Sequence, residues 1–235
     1  MKNSDRFLRA FSSIERFLRL KVNSDSYHTF YQLVDKTSTS SAVIKSFKND
    51  LKEYADLRNA IVHERSDEHT IAEPNDRAVE DIEKIASAIT NPPRVIPKFQ
   101  TSVTSLKQKA SIGDAVRLML EHSFSQIPIF DNDVFSELLT ANTITRWLGV
   151  SVLEDIFSLK ETQIEKVLEF TEYRENHKFI GRNTTIFEVL EDFQLFGERG
   201  RKLDALLITD SGKQTEKIIG IITVSDLPTI LQLIN

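Results

Sequence analysis

The seven glycines of this chain are distributed unevenly, and the first of them is Gly113. Four segments that precede it carry apolar residues at helical spacing, and glycine is the weakest helix former after proline. These segments end at a stiff run, Pro92-Pro93-Arg94-Val95-Ile96-Pro97. We therefore predict an antiparallel all-α bundle in residues 1–92, a proline-containing linker in residues 93–102, and a different, α/β arrangement beyond it.

The helices of the bundle are predicted from this spacing and from capping residues. They cover residues 4–22, 27–35 and 41–63, and a fourth helix begins at Pro74-Asn75-Asp76 and stops at Asn91-Pro92-Pro93. The third is the longest, because neither Gly nor Pro interrupts it. We expect it to be one continuous helix.

Three polar residues near the end of the third helix form the first candidate site. Arg58 falls on the apolar stripe of the helix, whereas Asn59 and His63 share an adjacent face with Asp56. A guanidinium fits a phosphate or its pentavalent transition state, and an imidazole with a pKa of about 6.5 can move protons at neutral pH. Together they can cleave RNA through its own 2′-hydroxyl without a metal. The alternative is a structural arginine and a histidine that caps the helix C-terminus.

The composition excludes several other classes of site. There is no cysteine, which rules out disulfides, thiolate catalysis and cysteine-ligated metals, and the other histidines lack metal-ligand spacing, so no metal site is expected. No apolar run reaches about 18 residues, and the N-terminus leads into an amphipathic helix rather than a signal peptide. We therefore expect a cytoplasmic protein that does not enter a membrane.

Charge is placed unevenly along the chain. Residues 1–99 contain 16 Lys and Arg against 15 Asp and Glu, whereas residues 100–235 contain 14 against 20. A polyanion is therefore expected to bind at the N-terminal part, where the first helix is basic. The alternative is that this basic helix presents an ordinary solvated face.

The second part of the chain contains a degenerate internal repeat. Each copy has a hydroxyl-capped amphipathic helix, a short buried strand that ends in a turn, and a strand that leads into a second helix. One copy is too small to fold alone, so the copies in residues 103–152 and 153–235 should pack as a pseudo-symmetric pair. The matched segments are Ser111-Ile112-Gly113-Asp114-Ala115-Val116 with Thr185-Ile186-Phe187-Glu188-Val189-Leu190, Ile127-Pro128-Ile129-Phe130-Asp131 with Leu206-Leu207-Ile208-Thr209-Asp210, and Glu137-Leu138-Leu139-Thr140-Ala141-Asn142-Thr143-Ile144 with Gly220-Ile221-Ile222-Thr223-Val224-Ser225-Asp226-Leu227.

The second copy ends in the motif Gly220-Ile221-Ile222-Thr223-Val224-Ser225-Asp226. A glycine lets a ligand lie against the strand, and Thr223 and Ser225 bring hydroxyl groups to a helix start where a phosphate is stabilised. Asp226 can accept hydrogen bonds from both hydroxyls of a ribose. The alternative is a capping Thr or Ser with an acidic residue in the first helical turn.

This arrangement resembles the CBS domain pair, or Bateman module, whose adenosine-nucleotide sites use a G-h-h-T-x-x-D motif. The resemblance covers about residues 100–235 and implies a tandem pair of β-α-β-β-α repeats. It implies that Gly220, Thr223 and Asp226 contact phosphate and ribose. It places Thr185 and the strand of Asp204, Ala205 and Leu206 beside the adenine of a regulatory AMP, ADP or ATP.

The first copy departs from this pattern. Glu137 stands where glycine is usual and Thr143 where aspartate is usual, although Thr140 and Asn142 remain. A ribose-binding acid is missing and a carboxylate intrudes. We therefore expect one good site per chain and a weaker site at Thr140 and Asn142.

The N-terminal bundle resembles the HEPN domain, a helical family in which many members carry an R-x-x-x-x-H ribonuclease motif. The resemblance covers about residues 1–92 and rests on four helices, the basic first helix and the motif from Arg58 to His63. Members of this kind place two copies of the motif across a homodimer interface. The resemblance implies that Arg58 stabilises the phosphorane, His63 acts as general acid or base, and Asn59 positions one of them.

Two functions therefore follow as hypotheses. In the first, the CBS pair senses an adenine nucleotide and controls a metal-independent ribonuclease that cuts single-stranded RNA in a homodimer. In the second, the protein is a non-catalytic regulatory module, and the helical bundle serves for dimerisation or partner docking.

Overall fold

The computed structural model describes residues 1–23, 26–63, 73–153 and 158–234, and only the backbone of His63. These residues separate into two compact units. The helical unit consists of Met1–Pro93 with Thr185–Glu191 and Ile234. The sheet unit consists of Arg94–Thr184 and Asp192–Leu233.

The helical unit contains five helices before residue 93 in the part of the chain that is described. They are α1 (Asn3–Val22), α2 (Phe30–Ser38), α3 (Ala42–Ser46), α4 (Lys48–His63) and α5 (Asp76–Thr90). Side chains cap two of the helix starts: Thr29 Oγ1 accepts from the Gln32 N–H in a capping box, and Asn75 Oδ1 accepts from the Ala78 N–H at 2.9 Å. The polar residues that precede these helices therefore fix where they begin.

The core of the helical unit is formed by the apolar stripes of these helices. Phe7, Ile14 and Leu18 of α1 are fully buried because they recur on one face of the helix. The Phe7 ring meets Tyr54 of α4 edge-on, with ring centroids 5.7 Å apart. Aromatic pairs prefer such an arrangement, so this contact joins the first and fourth helices.

The predicted continuous helix over residues 41–63 is wrong at Phe47. There the backbone leaves the helical region, at φ −102° and ψ 14°, and divides the segment into α3 and α4. The Phe47 ring packs edge-on against Phe187, with centroids 5.5 Å apart. Phe187 is 2% exposed and belongs to the same apolar core, a contact too distant in sequence for helical spacing to reveal.

The sheet unit contains two three-stranded sheets of identical topology. The first orders β1 (Leu106–Lys107), β2 (Gln126–Asp131) and β3 (Val134–Thr140), and the second orders β4 (His177–Gly181), β5 (Ala205–Thr209) and β6 (Gly220–Ile222). In each, the first pair of strands is parallel and the second pair is antiparallel. The internal repeat in the sequence is therefore a repeat of structure.

Helices of the sheet unit connect and flank these strands. They are α6 (Val95–Lys98), α7 (Ile112–His122), α8 (Ala141–Leu153), α9 (Ile164–Leu168), α10 (Ile186–Glu198), whose first turns belong to the helical unit, and α11 (Leu227–Gln232). A 3₁₀ turn, Val224–Asp226, precedes α11. As the sequence predicts, Ser111 caps α7, where its Oγ accepts from the Asp114 N–H at 3.1 Å.

The two copies share a hydrophobic core. One buried cluster contains Phe135 and Leu138 of the first copy together with Ala205, Leu207 and Ile218 of the second. Burial of these side chains against the other copy supplies area that one copy cannot bury alone. The copies thus pack as the pair that their size predicts.

Candidate functional site

The linker runs along the last strand of the second copy. Gln100 pairs with Gly220 in an antiparallel bridge, and the Thr101 N–H donates to the Ile219 carbonyl at 3.0 Å. A Cβ added to Gly220 would lie only 2.3 Å from the Phe99 carbonyl oxygen. The space at this glycine is therefore filled by the protein's own backbone, which corrects the interpretation that it admits a ligand.

Thr223 and Asp226 form a capping box around the 3₁₀ turn. The Thr223 N–H and Oγ1 both donate to Asp226 Oδ2, at 2.7 and 3.1 Å. Both side chains are half-buried, whereas Ser225 is exposed. The two bonds converge on Oδ2, so Asp226 Oδ1 is the oxygen best placed to accept from a ligand hydroxyl.

A cavity of about 110 Å³ opens beside Thr223. It is bordered by Ile221 and Thr223 of the second copy, by five residues of the first copy, and by the last two residues of the linker. The remaining lining residues are Thr101, Ser102, Val103, Thr104, Phe124, Gln126 and Pro128. The site is therefore composite, because the copy that supplies the Thr223 motif does not supply the rest of the wall.

Of the residues predicted to lie beside adenine, none borders this cavity. Asp204 is nearly buried and accepts from Asn176 Nδ2 at 3.1 Å and from Lys202 Nζ at 2.9 Å. Ala205 and Leu206 are fully buried in β5. Thr185 caps α10, where its N–H and Oγ1 donate to Glu188 Oε2 at 2.7 and 2.8 Å.

Sequence reasoning missed Gln126, Pro128 and the residues of the linker. Nothing local in the sequence marks them, because they reach Thr223 only through the pairing of the two copies. One contact connects Gln126 with the predicted adenine strand: its Nε2 donates weakly to the Asp204 carbonyl at 3.4 Å. The internal repeat was the one signal that pointed to a wall shared by both copies.

A half-buried histidine lies next to this strand. His177 opens β4 and contacts the rings of Phe135 and Phe179, with centroids 4.9 and 5.8 Å away. Burial lowers the pKa of its imidazole below the usual value. His177 is therefore neutral near pH 7 and acts as part of the apolar packing.

The equivalent position in the first copy is closed. Thr140 Oγ1 and Thr143 Oγ1 are 3.0 Å apart, and the Thr143 N–H donates to Thr140 Oγ1 at 3.1 Å. Both residues are buried, at 5% and 2% exposure, whereas Asn142 is exposed. The two hydroxyls satisfy each other, so this motif offers neither a carboxylate nor an open face to a ribose.

Glu137 occupies the position that corresponds to Gly220. Burial raises the pKa of its carboxyl, and the nearby Arg174 guanidinium, 3.4 Å away, opposes that shift. Thr171 Oγ1 also donates to it, at 3.4 Å. The intruding carboxylate is thus held by the segment before β4.

Some of the residues of the predicted site in the helical unit lie within the described part of the chain. Arg58 is half-buried, and its Nη1 donates to Asn59 Oδ1 at 3.3 Å. Asp56, which shares the helix face of Asn59 and His63, accepts from the Tyr31 hydroxyl at 2.5 Å, which raises the pKa of Tyr31. The side chain of His63 lies outside the described residues, so its pairing with Arg58 stays a prediction.

Within the described ranges, no group of three or more His, Asp or Glu side chains is arranged to hold a metal ion. In the same residues, no helix has the length and apolar character that crossing a bilayer requires.

Comparison with known proteins identifies part of the sheet unit. Residues 96–149 match the sequence model of the CBS domain family. A search of curated protein sequences finds no significant match to the chain.

Solved structures that resemble the chain include the following three proteins. A Vibrio cholerae protein named for acetoin utilization (AcuB) is 18% identical, with a TM-score of 0.45, and the match covers 59% of this chain and 90% of that one. The CBS domain pair of protein MJ0100, solved with 5′-methylthioadenosine and S-adenosyl-L-methionine, is 13% identical over 60% and 97% of the chains, with a TM-score of 0.44. A CBS domain-containing protein of Kribbella flavida is 16% identical over 57% and 96%, with a TM-score of 0.43. The sequence match to the CBS domain family lies in the sheet unit, at residues 96–149.

Proposed function

We propose that this chain is a regulatory protein that senses an adenine nucleotide, AMP, ADP or ATP, through its sheet unit. The observation that carries the proposal is the composite cavity, in which Thr223 of the second copy faces Gln126 and Pro128 of the first. Ligand sites commonly form where two structural units meet and where few polar groups converge on an apolar wall. The MJ0100 domain pair was solved with two adenosine compounds, and that protein is the precedent for the class of ligand proposed here.

The dimensions of the cavity limit how a nucleotide binds. At about 110 Å³ it is smaller than the roughly 300 Å³ of a typical small-molecule pocket, so it accommodates the base alone. The ribose then lies over Asp226, whose carboxylate accepts from the 2′- and 3′-hydroxyls. The phosphates extend along the exposed Val224 and Ser225. Gln126 supplies an amide that can donate to or accept from the edge of the base.

Nucleotide binding regulates only if it favours one state of the protein over another. Asp226 is the group that links occupancy to the protein, because its carboxylate would accept from the ribose at Oδ1 while Oδ2 holds the Thr223 cap of the turn. In this proposal the helical unit is the output, and it acts by dimerisation or by docking a partner protein.

A second function, cleavage of single-stranded RNA by the helical unit, is favoured by the environment of Arg58. In the part of the chain that is described, its guanidinium has no carboxylate partner, and it donates to the neutral amide of Asn59. A half-buried arginine in that state suits an anionic phosphate. In a homodimer of the HEPN kind, the Arg58 guanidinium groups of the two chains would lie at one shared site.

Ribonuclease activity is tested by incubation of the protein with single-stranded RNA in EDTA. The wild type should cut, and His63→Ala and Arg58→Ala should each lose most of the cleavage, because each removes one catalytic role. Arg77→Ala serves as the control, since Arg77 is exposed and only bridges to Asp81 on α5 at 3.8 Å. Equal residual cleavage in all four proteins would leave the non-catalytic regulatory function.

Nucleotide binding is tested by calorimetric titration with AMP, ADP and ATP. Asp226→Asn keeps the capping of the turn but removes the charge that ribose hydroxyls bind, so affinity should fall about 10- to 100-fold. Asp210→Asn is the matched control, because Asp210 is exposed and bridges only Arg182. Unchanged affinity in Asp226→Asn would refute the placement of the ribose.

A further inference from the structure

The sheet unit contains a second and larger cavity, of about 440 Å³. It lies between β1, the turn that joins β2 to β3, and the connection from β5 to β6. Its lining residues are Val103, Ser105, Leu106, Lys107, Phe130, Asp133, Gln214, Thr215, Glu216, Lys217 and Ile218. Only Val103 also borders the cavity beside Thr223, so the two are distinct spaces with one wall in common.

This cavity depends on a loop that only the second copy possesses. In the first copy Asn132 and Asp133 alone join β2 to β3, whereas in the second copy residues 210–219 join β5 to β6. The loop that lines this cavity therefore has no counterpart of similar length in the first copy. A loop that one copy has gained is a common location for a function that the other copy lacks.

The loop is held in place by its own hydrogen bonds. The Ser211 N–H and Oγ donate to the two carboxylate oxygens of Glu216 at 2.7 and 2.5 Å. The Gly212 N–H donates to Thr209 Oγ1 at 3.0 Å, and Gln214 Nε2 donates to the Phe135 carbonyl at 3.1 Å. Because these bonds fix the loop, a ligand that enters the cavity pays little ordering entropy.

The floor of the cavity is apolar. Val103 and Phe130 are partly buried and Ile218 is nearly buried, and the Phe130 ring is set perpendicular to Phe135 with centroids 5.9 Å apart. A fixed half-exposed phenyl ring offers one face to a planar group. The body of a ligand is therefore expected to be aromatic or otherwise flat and apolar.

On the polar rim both carboxylates already accept from neighbouring side chains or backbone, whereas two lysines retain unused donors. Asp133 accepts from Lys107 Nζ at 2.7 Å, which lowers the pKa of Asp133, and both oxygens of Glu216 already accept from Ser211, which lowers the pKa of Glu216. Lys217, in contrast, has no ion pair with any described residue, and Lys107 keeps two of its three N–H donors. The unused hydrogen-bond donors of the rim are thus the ammonium groups of these two lysines, and such groups select an anionic head group.

We propose that this cavity binds a small organic carboxylate with an aromatic or flat apolar body. The body lies against Phe130, Val103 and Ile218, and the carboxylate accepts from Lys217 and from the remaining donors of Lys107. The site is separate from the adenine-nucleotide site and does not depend on it. With both sites, one chain would sense two kinds of metabolite through one CBS domain pair.

The experiment uses 2-naphthoate as the probe and the ¹⁵N-labelled full chain as the receptor. Saturable shifts are expected in the amide signals of residues 105–107 and 214–218. The neutral analogue 2-naphthalenemethanol should bind about fivefold more weakly, and Lys217→Gln should weaken 2-naphthoate about fivefold without an effect on the neutral analogue. Lys213→Gln is the matched control, because Lys213 is an exposed lysine of the same loop that does not line the cavity.

Two further arms decide where the probe binds. Ser105→Trp fills the cavity and should abolish the shifts, while the signals of β4 and β5 remain those of the folded protein. Saturating AMP should leave the affinity for 2-naphthoate within twofold. Shifts that persist in Ser105→Trp, equal losses in the two lysine variants, or competitive displacement by AMP would each overturn the proposal.

Discussion

Gly220→Ala tests the finding that the linker, rather than a ligand, requires a glycine at this position. The added methyl group would lie 2.3 Å from the Phe99 carbonyl oxygen and 2.9 Å from Ile208 Cδ1. Contacts this short to backbone cannot be relieved by a side-chain rotation, so the linker has to move away from β6. Overpacking of this kind costs about 1 to 3 kcal/mol.

Movement of the linker also breaks its pairing with the strand. The bond from the Thr101 N–H to the Ile219 carbonyl, 3.0 Å long, contributes about 1 kcal/mol. Alanine recovers about 0.5 to 1 kcal/mol of backbone entropy in the unfolded chain. We therefore expect the free energy of unfolding to fall by about 2 to 3 kcal/mol.

Urea unfolding followed by the fluorescence of Trp147 measures this change. Trp147 is the one tryptophan of the chain and is 5% exposed in the core of the first copy, so it reports on the sheet unit. With a slope of about 2 kcal/mol per molar urea, the midpoint should fall by about 1 M. Gly197→Ala is the control, because a Cβ there meets open space within α10 and should leave the midpoint unchanged or raise it slightly. A Gly220→Ala midpoint within about 0.2 M of the wild type, which is the precision of such a curve, would refute the reasoning.

Three further predictions concern pH dependence and packing. The pKa of His177 is lowered in the folded protein, so its contribution to stability is complete above about pH 6.5 and is lost as the pH falls below that value. His177→Phe should therefore flatten the decrease of the urea midpoint between about pH 7.5 and pH 5.5. A wild-type slope retained in the variant would contradict the assignment. Ile14→Ala should lower the free energy of unfolding by about 2 to 5 kcal/mol in thermal or urea unfolding, whereas Leu20→Ala on the same helix, at an exposed site, should change it by less than about 0.5 kcal/mol. The hydrogen bond to Asp56 raises the pKa of Tyr31, so in a spectrophotometric alkaline titration Asp56→Asn should move one tyrosine to a lower pKa, and unchanged curves would show that the bond is not formed in solution.

Much of the fold could be predicted from local patterns in the sequence. Apolar spacing and the cap at Asn75 locate α5 to within a residue, and Ser111 marks the start of α7. The repeat predicts two equivalent sheets because each copy carries the same order of helix and strand signals. These features depend on residues that are close in the chain, and such residues determine local structure directly.

The features that were missed depend on contacts between distant residues. The break at Phe47 follows from a partner at Phe187, and the role of Gly220 follows from a backbone segment more than a hundred residues earlier in the chain. Gln126 and Pro128 reach Thr223 through the pairing of the two copies. A single sequence does not state which distant segments meet, so the composite wall of the candidate site needed the structure.

The motif from Thr223 to Asp226 shows both what the sequence could indicate and what only the structure adds. Its capping geometry, with both Thr223 donors on Asp226 Oδ2, is one of the two alternatives that the sequence allowed. The structure adds that a capping box and a ligand site are compatible here, because a carboxylate has more lone pairs than the cap uses. In the first copy the hydroxyls of Thr140 and Thr143 instead hydrogen-bond to each other.

A crystal structure of the full chain grown with AMP tests the central proposal most directly. The account predicts the ribose hydroxyls at hydrogen-bonding distance from the Asp226 carboxylate, about 2.7 Å, and the adenine against Gln126 and Pro128. The position beside Thr140 and Thr143 should be empty. AMP bound beside those two threonines, or a Thr223 cavity without nucleotide at saturating AMP, would contradict the proposal.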